Sequence, residues 1–413
     1  MLLNKSKKQM NPLHFTKPSF IFLITLPYGI SSGFVSVALP YQLIQNGYSV
    51  AQTASIVAIA TSASMLRFLW APIVDTWLTL KKWYIISLLT CVITLLFLSI
   101  TPFTIKGAVL LTLLVFVSQL ASNFMISPIS GFLAHSIEES KKGIASGCFQ
   151  GGMLAGVGLG GGLGLWLLTH YNERITGVVL CASSLLFGLV VLLIKDVTTS
   201  NSTKFLQVVS EIGTDIVKMV KVPAVLFVIV LMMLPIGIGA SSNLWSAIAQ
   251  DWKTDSDTVA LVTGILSGFA SLVGCLIGGY IKDRWGVWVA FFGSGTICAL
   301  ATFIMAFLPF IPAVFIGGVL AYAFSFGLMN AAFTSVILFA IGKKNAVTKY
   351  SLFSSLGNLP VVFMTVFNGW IHDKYNSKYM LIEEAVVGLI CVILFTLILK
   401  NMKNKQLIPA IIE

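Results

Sequence analysis

Charge is what this sequence has least of. Only 10% of its 413 residues are Asp, Glu, Lys or Arg, against 57% hydrophobic residues, and the mean hydropathy is +0.94. So few polar groups cannot coat a water-soluble globule of this size, which places the chain in a bilayer. Acidic residues number 15 against 26 basic ones, for a net charge of +11. That excess does not indicate nucleic-acid binding, because the basic residues are spread over separate short segments and form no single face. The four histidines, His14, His135, His170 and His372, stand at helix ends or in loops on both sides and cannot meet at one metal. The six cysteines, Cys91, Cys148, Cys181, Cys275, Cys298 and Cys391, lie inside apolar runs without metal-ligand spacing. They are expected to be small buried residues, neither zinc ligands nor disulfides. No Ser-His-Asp set, His-Glu-x-x-His helix or phosphate-cradling glycine loop is present, so neither an enzyme nor a cofactor is expected. The opening residues are polar and basic but lead straight into a full-length apolar run without a small-residue cleavage site, so no signal peptide is expected.

What the chain has in abundance is apolar runs of the length that crosses a hydrocarbon core of ~30 Å. Twelve can be drawn, at 18–42, 50–74, 83–103, 107–134, 143–169, 175–194, 223–249, 258–281, 286–309, 312–341, 348–371 and 379–399. Backbone amides away from water must be satisfied within the segment, so the runs are helices, and continuous apolarity without strict alternation excludes a barrel. Most lysines and arginines then fall on the side bearing both termini. Only Lys106, Arg174, Lys253, Lys374 and Lys378 fall on the other, and Arg67 lies within a helix. The positive-inside rule makes the terminal side cytoplasmic. With nothing to mark an organelle, a bacterial cytoplasmic (inner) membrane is the expected location.

The one long polar interval, 195–222, is expected to be a cytoplasmic linker between a bundle at 1–194 and another at 223–413, with Glu211 to Val222 as a candidate amphipathic surface helix. The halves echo each other. The offset that carries Asp283 onto Asp75 also carries Leu234-Pro235-Ile236-Gly237 onto Leu26-Pro27-Tyr28-Gly29. A slightly shorter one carries Trp370, Tyr375 and Asn376 onto Trp166, Tyr171 and Asn172. The chain is therefore expected to be one unit of about two hundred residues used twice, with Pro27 and Pro235 bending equivalent helices. In the fifth run Gly152, Gly156, Gly160 and Gly164 recur every four residues, and Gly151, Gly158, Gly161 and Gly162 widen the strip. Such a ridge serves ordinary helix packing or a sliding contact between two halves, with Gly264, Gly268, Gly274, Gly278 and Gly279 of the eighth run as the candidate partner.

Arg67 is the conspicuous ionisable group at hydrocarbon depth. It lies eight residues before Asp75, so roughly 12 Å in from that loop at ~1.5 Å per residue. A central Arg costs about 2.5 to 3.5 kcal/mol on insertion scales. It either snorkels to the surface or faces the interior, where its guanidinium would bind an anionic substrate group or polar residues of the eleventh run. No carboxylate is placed at mid-membrane to neutralise it, and Glu383 and Glu384, at the opening of the last run, are expected to be boundary residues. Tyr28, Ser32, Asn123, Gln150, Asn243, Asn330 and Asn358 are the uncharged polar residues deep in the runs. Singly, each amide is more often a helix-to-helix hydrogen bond; as a set with Arg67 they are the candidate substrate-binding residues. Asp75, Asp283 and Arg284 are the candidate gating residues, a carboxylate at a helix end being able to pair in one state and release in the other.

The loop Gly279-Tyr280-Ile281-Lys282-Asp283-Arg284-Trp285-Gly286 resembles the G-x-x-x-D-R-x-G loop of the major facilitator superfamily. The first-half counterpart, Ala71 to Thr76, keeps the Asp but lacks both Gly and Arg. Its context, R-F-L-W-A-P-x-x-D from Arg67, is similar to the branch of the muropeptide permeases (AmpG-like) and acetyl-coenzyme A transporters. The segment Ala346 to Leu356 is similar to the start of that branch's eleventh helix. The resemblance implies an all-α membrane protein with twelve transmembrane helices in two pseudo-symmetric six-helix bundles. It also implies a secondary transporter working by alternating access, often driven by protons. Within that frame the expected cargo is a polar, anionic small solute, such as an amino-sugar or peptide conjugate, imported by a monomer in the lipid bilayer. Two alternatives remain. Drug or metabolite efflux by proton antiport is suggested by Gly152 to Gly161, which matches the antiporter pattern G-x-x-x-G-P-x-x-G-G with Val157 in place of Pro, although the fourth run has Gln119, Asn123 and Met125 in place of the antiporters' buried Arg. The other alternative is a receptor that no longer transports.

Overall fold

The computed structural model describes residues 16–74, 78–138, 141–196, 221–341 and 346–405. Asp75 and nearly all of the 195–222 linker, including all but the last two residues of the candidate surface helix, lie outside the described residues. Among the described residues ten helices are long and apolar enough to cross a membrane, and two shorter apolar ones complete the set. In chain order they are α1 (Pro18–Gln45), α2 (Val50–Leu66, running on through Arg67–Val74), α3 (Leu80–Ile100), α4 (Ala108–His135), α5 (Ile144–His170), α6 (Glu173–Leu193), α7 (Pro223–Met232), α8 (Ser256–Trp285), α9 (Val287–Phe307), α10 (Pro312–Ile341), α11 (Ala346–Lys374) and α12 (Ser377–Asn404). They form two six-helix bundles, α1–α6 and α7–α12. Outward residues such as Val109, Leu193 and Leu276 are about 70% exposed, which on a membrane helix means facing lipid.

The repeat has a physical basis at its best-matched pair. Asn172 accepts a hydrogen bond from the backbone of Ile175 (2.9 Å) and Asn376 from that of Tyr379 (3.2 Å), so each caps the N-terminus of its half's last helix. At the other match the halves part company. Pro27 sits inside a helix that continues through a π-helical stretch, Phe34–Ala38, to Gln45. α7 instead stops at Met232, corrects the expected run to 249, and resumes only as short turns at Ala240–Asn243, Trp245–Ile248 and Ala249–Trp252. Gly237 (φ +59°) and Gly239 (φ +79°) hold left-handed backbone between them, a conformation open to residues without a Cβ. Pro235 therefore marks a break where Pro27 marks none.

The halves meet at the face away from the termini. Three π-helical stretches, Phe34–Ala38 of α1, Gly158–Leu163 of α5 and Ala260–Leu266 of α8, converge there, and a Cβ added to Gly264 would lie 2.5 Å from the Cα of Gly162. At the same face the Asp373 carboxylate of α11 accepts the first backbone amides of α2, from Val50 and Ala51, both at 3.0 Å. A carboxylate from one half thus caps the positive end of a helix in the other. Toward the terminal face α5 and α8 diverge, and Gln150, one turn before Leu154 on the stripe of α5 that touches α8, is exposed, while α2 stays against α11 through Arg67–Val74. The α5–α8 seam is sealed at one end and open at the other.

Candidate functional site

In the N-terminal half the interior polar groups form one chain of bonds. Arg67 donates from Nη2 to Asn123 Oδ1 (2.8 Å), and Asn123 donates to the Gln119 carbonyl (2.9 Å). Gln119 in turn donates to the Ser31 carbonyl (3.1 Å) and hydroxyl (2.9 Å), and the Ser31 and Ser118 hydroxyls pair at 3.1 Å. Arg67 therefore points inward across α2 and α4, and does not snorkel. Its Nε is buried without a partner, and among the described residues no carboxylate pairs with the guanidinium. A half-buried cation held by a neutral amide keeps most of its capacity to bind an anion. Tyr28 and Ser32, half-buried and four residues apart, share one face of α1 in the same bundle.

In the C-terminal half the break in α7 opens onto a cavity of about 160 Å³. Non-helical backbone at membrane depth is tolerated only where it is buried in protein or lines a cavity. Here Leu234, Ile236, Gly237 and Ile238 line it on one side, and Asn330 and Asn358 on the other. Each of these amides donates once to its own helix, Asn330 to the Phe326 carbonyl (3.2 Å) and Asn358 to that of Ser354 (3.1 Å). Each retains a second N–H and a carbonyl oxygen for a ligand. Asn243 is placed differently: it is buried and donates to Thr365 Oγ (3.1 Å), tying the resumed end of α7 to α11. A larger groove of about 500 Å³, lined by residues such as Trp288, Phe292 and Lys400, opens on the outer flank of α9 and α12, away from these polar groups.

The glycine strip packs α5 on α1 inside the N-terminal half. A Cβ on Gly152 or Gly160 would meet the carbonyl of Phe22 or Ile30, and one on Gly156 would lie 2.7 Å from the Cα of Gly29. At Gly164 the same addition meets only ordinary contacts, 3.4 Å from Leu180. The neighbouring glycines, Gly158 and Gly162, are the ones that face α8, while Gly274 and Gly278 of α8 turn toward α10. Asp283 is exposed on the terminal face, paired with the adjacent Lys282 at 2.8 Å, and Arg284 is exposed beside it.

Sequence reasoning missed a carboxylate. Glu384 is not a boundary residue: it lies seven residues into α12, about 10 Å along the helix. Its Oε1 accepts from Tyr322 Oη (2.5 Å), and its Oε2 accepts from Asn368 Nδ2 (2.6 Å) and from the Ser241 hydroxyl. The two glutamates alone signalled it, since the partners come from three other helical segments. At the sealed face Asp251 accepts from the Ser377 hydroxyl and lies 2.8 Å from His372 Nε2. Burial works against ionisation of Asp251, but these hydrogen bonds outweigh it and hold the carboxyl below the ordinary Asp range. Among the described residues no group of His, Cys, Asp and Glu could hold a metal ion.

With this geometry in view, residues 21–365 match the sequence model of the Major Facilitator Superfamily. The chain belongs to the major facilitator superfamily. It is a membrane transporter, not an enzyme. Solved structures of similar fold include the nucleoside transporter NupG (TM-score 0.71, 13% identity, covering 92% of this chain and 98% of that one). The D-xylose-proton symporter matches at TM-score 0.72 and 14% identity, over 92% and 96% of the two chains. The POT family transporter PepTSo matches at 0.69 and 12%, over 94% and 98%. No curated protein matches the chain at a significant level. At these identities the likeness is one of fold.

Proposed function

We propose that this superfamily member is a secondary active transporter that imports a polar, anionic small solute with protons by alternating access. The cargo class is an amino-sugar or peptide conjugate such as a muropeptide, and the protein sits in a bacterial inner membrane with both termini cytoplasmic. The observation that carries the reading is Arg67, a cation inside the N-terminal half bonded to the neutral Asn123. An anion arriving beside Arg67 supplies the counter-charge that the protein withholds, and the amides Asn330 and Asn358 in the cavity of the C-terminal half suit the hydroxyls and amides of such a conjugate. Resemblance of the stretch from Arg67 to Asp75 to the muropeptide permeases points the same way, and one structure of similar fold is a proton symporter.

The test is uptake of radiolabelled muropeptides into proteoliposomes with and without a pH gradient. Arg67→Ala is expected to lower apparent affinity about 100-fold, the loss of one charge-assisted bond pair at ~1.4 kcal/mol per factor of ten, with Arg67→Lys intermediate. Unchanged affinity in both variants removes Arg67 from the site. Gradient-driven extrusion in place of uptake would turn the reading to efflux, and absence of any flux would leave a receptor.

A further inference from the structure

The carboxylate of Glu384 is half-buried and held by three donors from the protein. Tyr322 of α10, Asn368 of α11 and Ser241 of the resumed end of α7 each give it a hydrogen bond, and Ser241, Asn368 and Tyr322 are at most 2% exposed. The titratable groups near it are Tyr322 on α10, Cys298 on α9 and Glu383 on its own helix. Among the described residues no Lys, Arg or His pairs with it. Three neutral donors and no cation make a site for a charge that comes and goes, since a permanent carboxylate at this depth calls for a permanent counter-ion.

A second, independent feature accommodates the neutral form. Asn368 is fully buried, and its Oδ1 has no partner. While Glu384 is ionised, the Asn368 amide offers it Nδ2. When a proton adds to one carboxylate oxygen the new O–H needs an acceptor, and a half-turn of the same amide presents Oδ1. No other covalent bond changes. We propose that Glu384 is the coupling-proton site of this transporter, with Asn368 as the amide that serves both protonation states. This rests on the proton-driven reading above and deepens it.

The site is placed to act on the cavity. Ser241 follows Gly239, the left-handed residue that ends the break in α7, and its backbone N–H also donates to Tyr322 Oη (3.3 Å). The residues before it line the cavity with Asn330 and Asn358, and those after it run to Asp251 at the sealed face. Protonation weakens the hold of Glu384 on Ser241, and so frees the one stretch of α7 that touches both the cavity and the seal. A sodium ion is the competing occupant. It is disfavoured because both carboxylate oxygens already take donors at hydrogen-bond distance.

The experiment needs no cargo, so its outcome is separable from that of the uptake assay. Infrared difference spectra of the wild-type protein in liposomes, recorded against pH, are expected to show a carboxylic-acid band on acidification. Glu384→Gln is expected to remove one component of it and Glu383→Gln to leave that component in place. Tyr322→Phe, which removes a hydrogen-bond donor from Glu384, is expected to shift the frequency of that component. In parallel, amide exchange over residues 240–249 is expected to rise on acidification, beyond the intrinsic effect, in wild type only. A band unchanged in every component by Glu384→Gln overturns the proposal, as does exchange that responds to sodium chloride at constant pH and not to acid.

Discussion

One place in the repeated unit is filled in opposite ways by the two halves. The offset that carries Asn172 onto Asn376 also carries Gly164 onto Asn368 and Leu180 onto Glu384. In the first half Leu180, 1% exposed, lies over Gly164, an apolar contact. In the second the same two positions are an amide and a carboxylate bonded at 2.6 Å. The difference extends outward. α1 is continuous and pressed against α5 by glycines, whereas its counterpart α7 is broken and held to α10, α11 and α12 through polar side chains. The interior of the first half carries a cation, Arg67, and that of the second an anion-forming group, Glu384. The two copies share a topology and differ inside it: one is packed through glycines around a cation, the other is broken and held through polar side chains.

The sharpest break in this comparison comes from the glycine seam. The offset places Met364 opposite Gly160, so the second half has no such seam between α7 and α11. Gly160→Ala would push a methyl into the Ile30 carbonyl, and backbone on both sides of the contact cannot rotate away. A loss of about 3 kcal/mol is expected, read as a lowered Tm and reduced monodisperse yield. Gly317→Ala in α10, where a Cβ meets nothing within 4 Å, is expected to be neutral or up to about 1 kcal/mol stabilising. Equal effects at the two sites would mean that the first half is not welded.

A smaller effect tests the amide and carboxylate directly. Asn368→Gly leaves Glu384 short of a donor and is expected to cost about 2 kcal/mol. The double variant Asn368→Gly, Glu384→Leu rebuilds the first half's apolar contact and is expected to recover most of that loss, because replacing a buried polar pair by apolar groups is often neutral. Thermal unfolding of the two variants decides it. If the double variant is no more stable than the single, the two positions are not equivalent in energy, whatever their alignment.

Much of this was legible in the sequence, for identifiable reasons. Twelve spans follow from apolar length, and the repeat shows through Asn172 and Asn376 because a helix cap is a local requirement that each copy must meet again. Arg67 stood out because a lone charge in an apolar run needs an explanation. What stayed hidden depends on which helices meet. Glu384 lies near a span end, and its donors, Ser241, Asn368 and Tyr322, sit on three other segments with nothing in their spacing to join them. The strip from Gly152 to Gly164 declared close packing but not its partner, which proved to be α1 for the strip and α8 for its neighbours Gly158 and Gly162.

The break in α7 was hidden for a different reason, and it yields the smallest of the expected effects. Leu-Pro-x-Gly occurs at both Pro27 and Pro235, and only the second copy unwinds. Proline removes one helix hydrogen bond in each, so it cannot by itself separate the two outcomes. The left-handed backbone at Gly237 and Gly239 can, because in α1 the matching Gly29 is helical and pinned against Gly156. Pro235→Ala is therefore expected to change stability by less than about 0.5 kcal/mol and to leave the amides of residues 234–239 in fast exchange. Gly239→Ala, strained at φ +79° and 2.7 Å from the Phe326 ring, is expected to cost about 1 to 2 kcal/mol and to deform the cavity that Phe326 lines. Should Pro235→Ala instead slow exchange across 234–239 to the level of residues 26–31, proline would be the cause of the break, and the glycines only its accommodation.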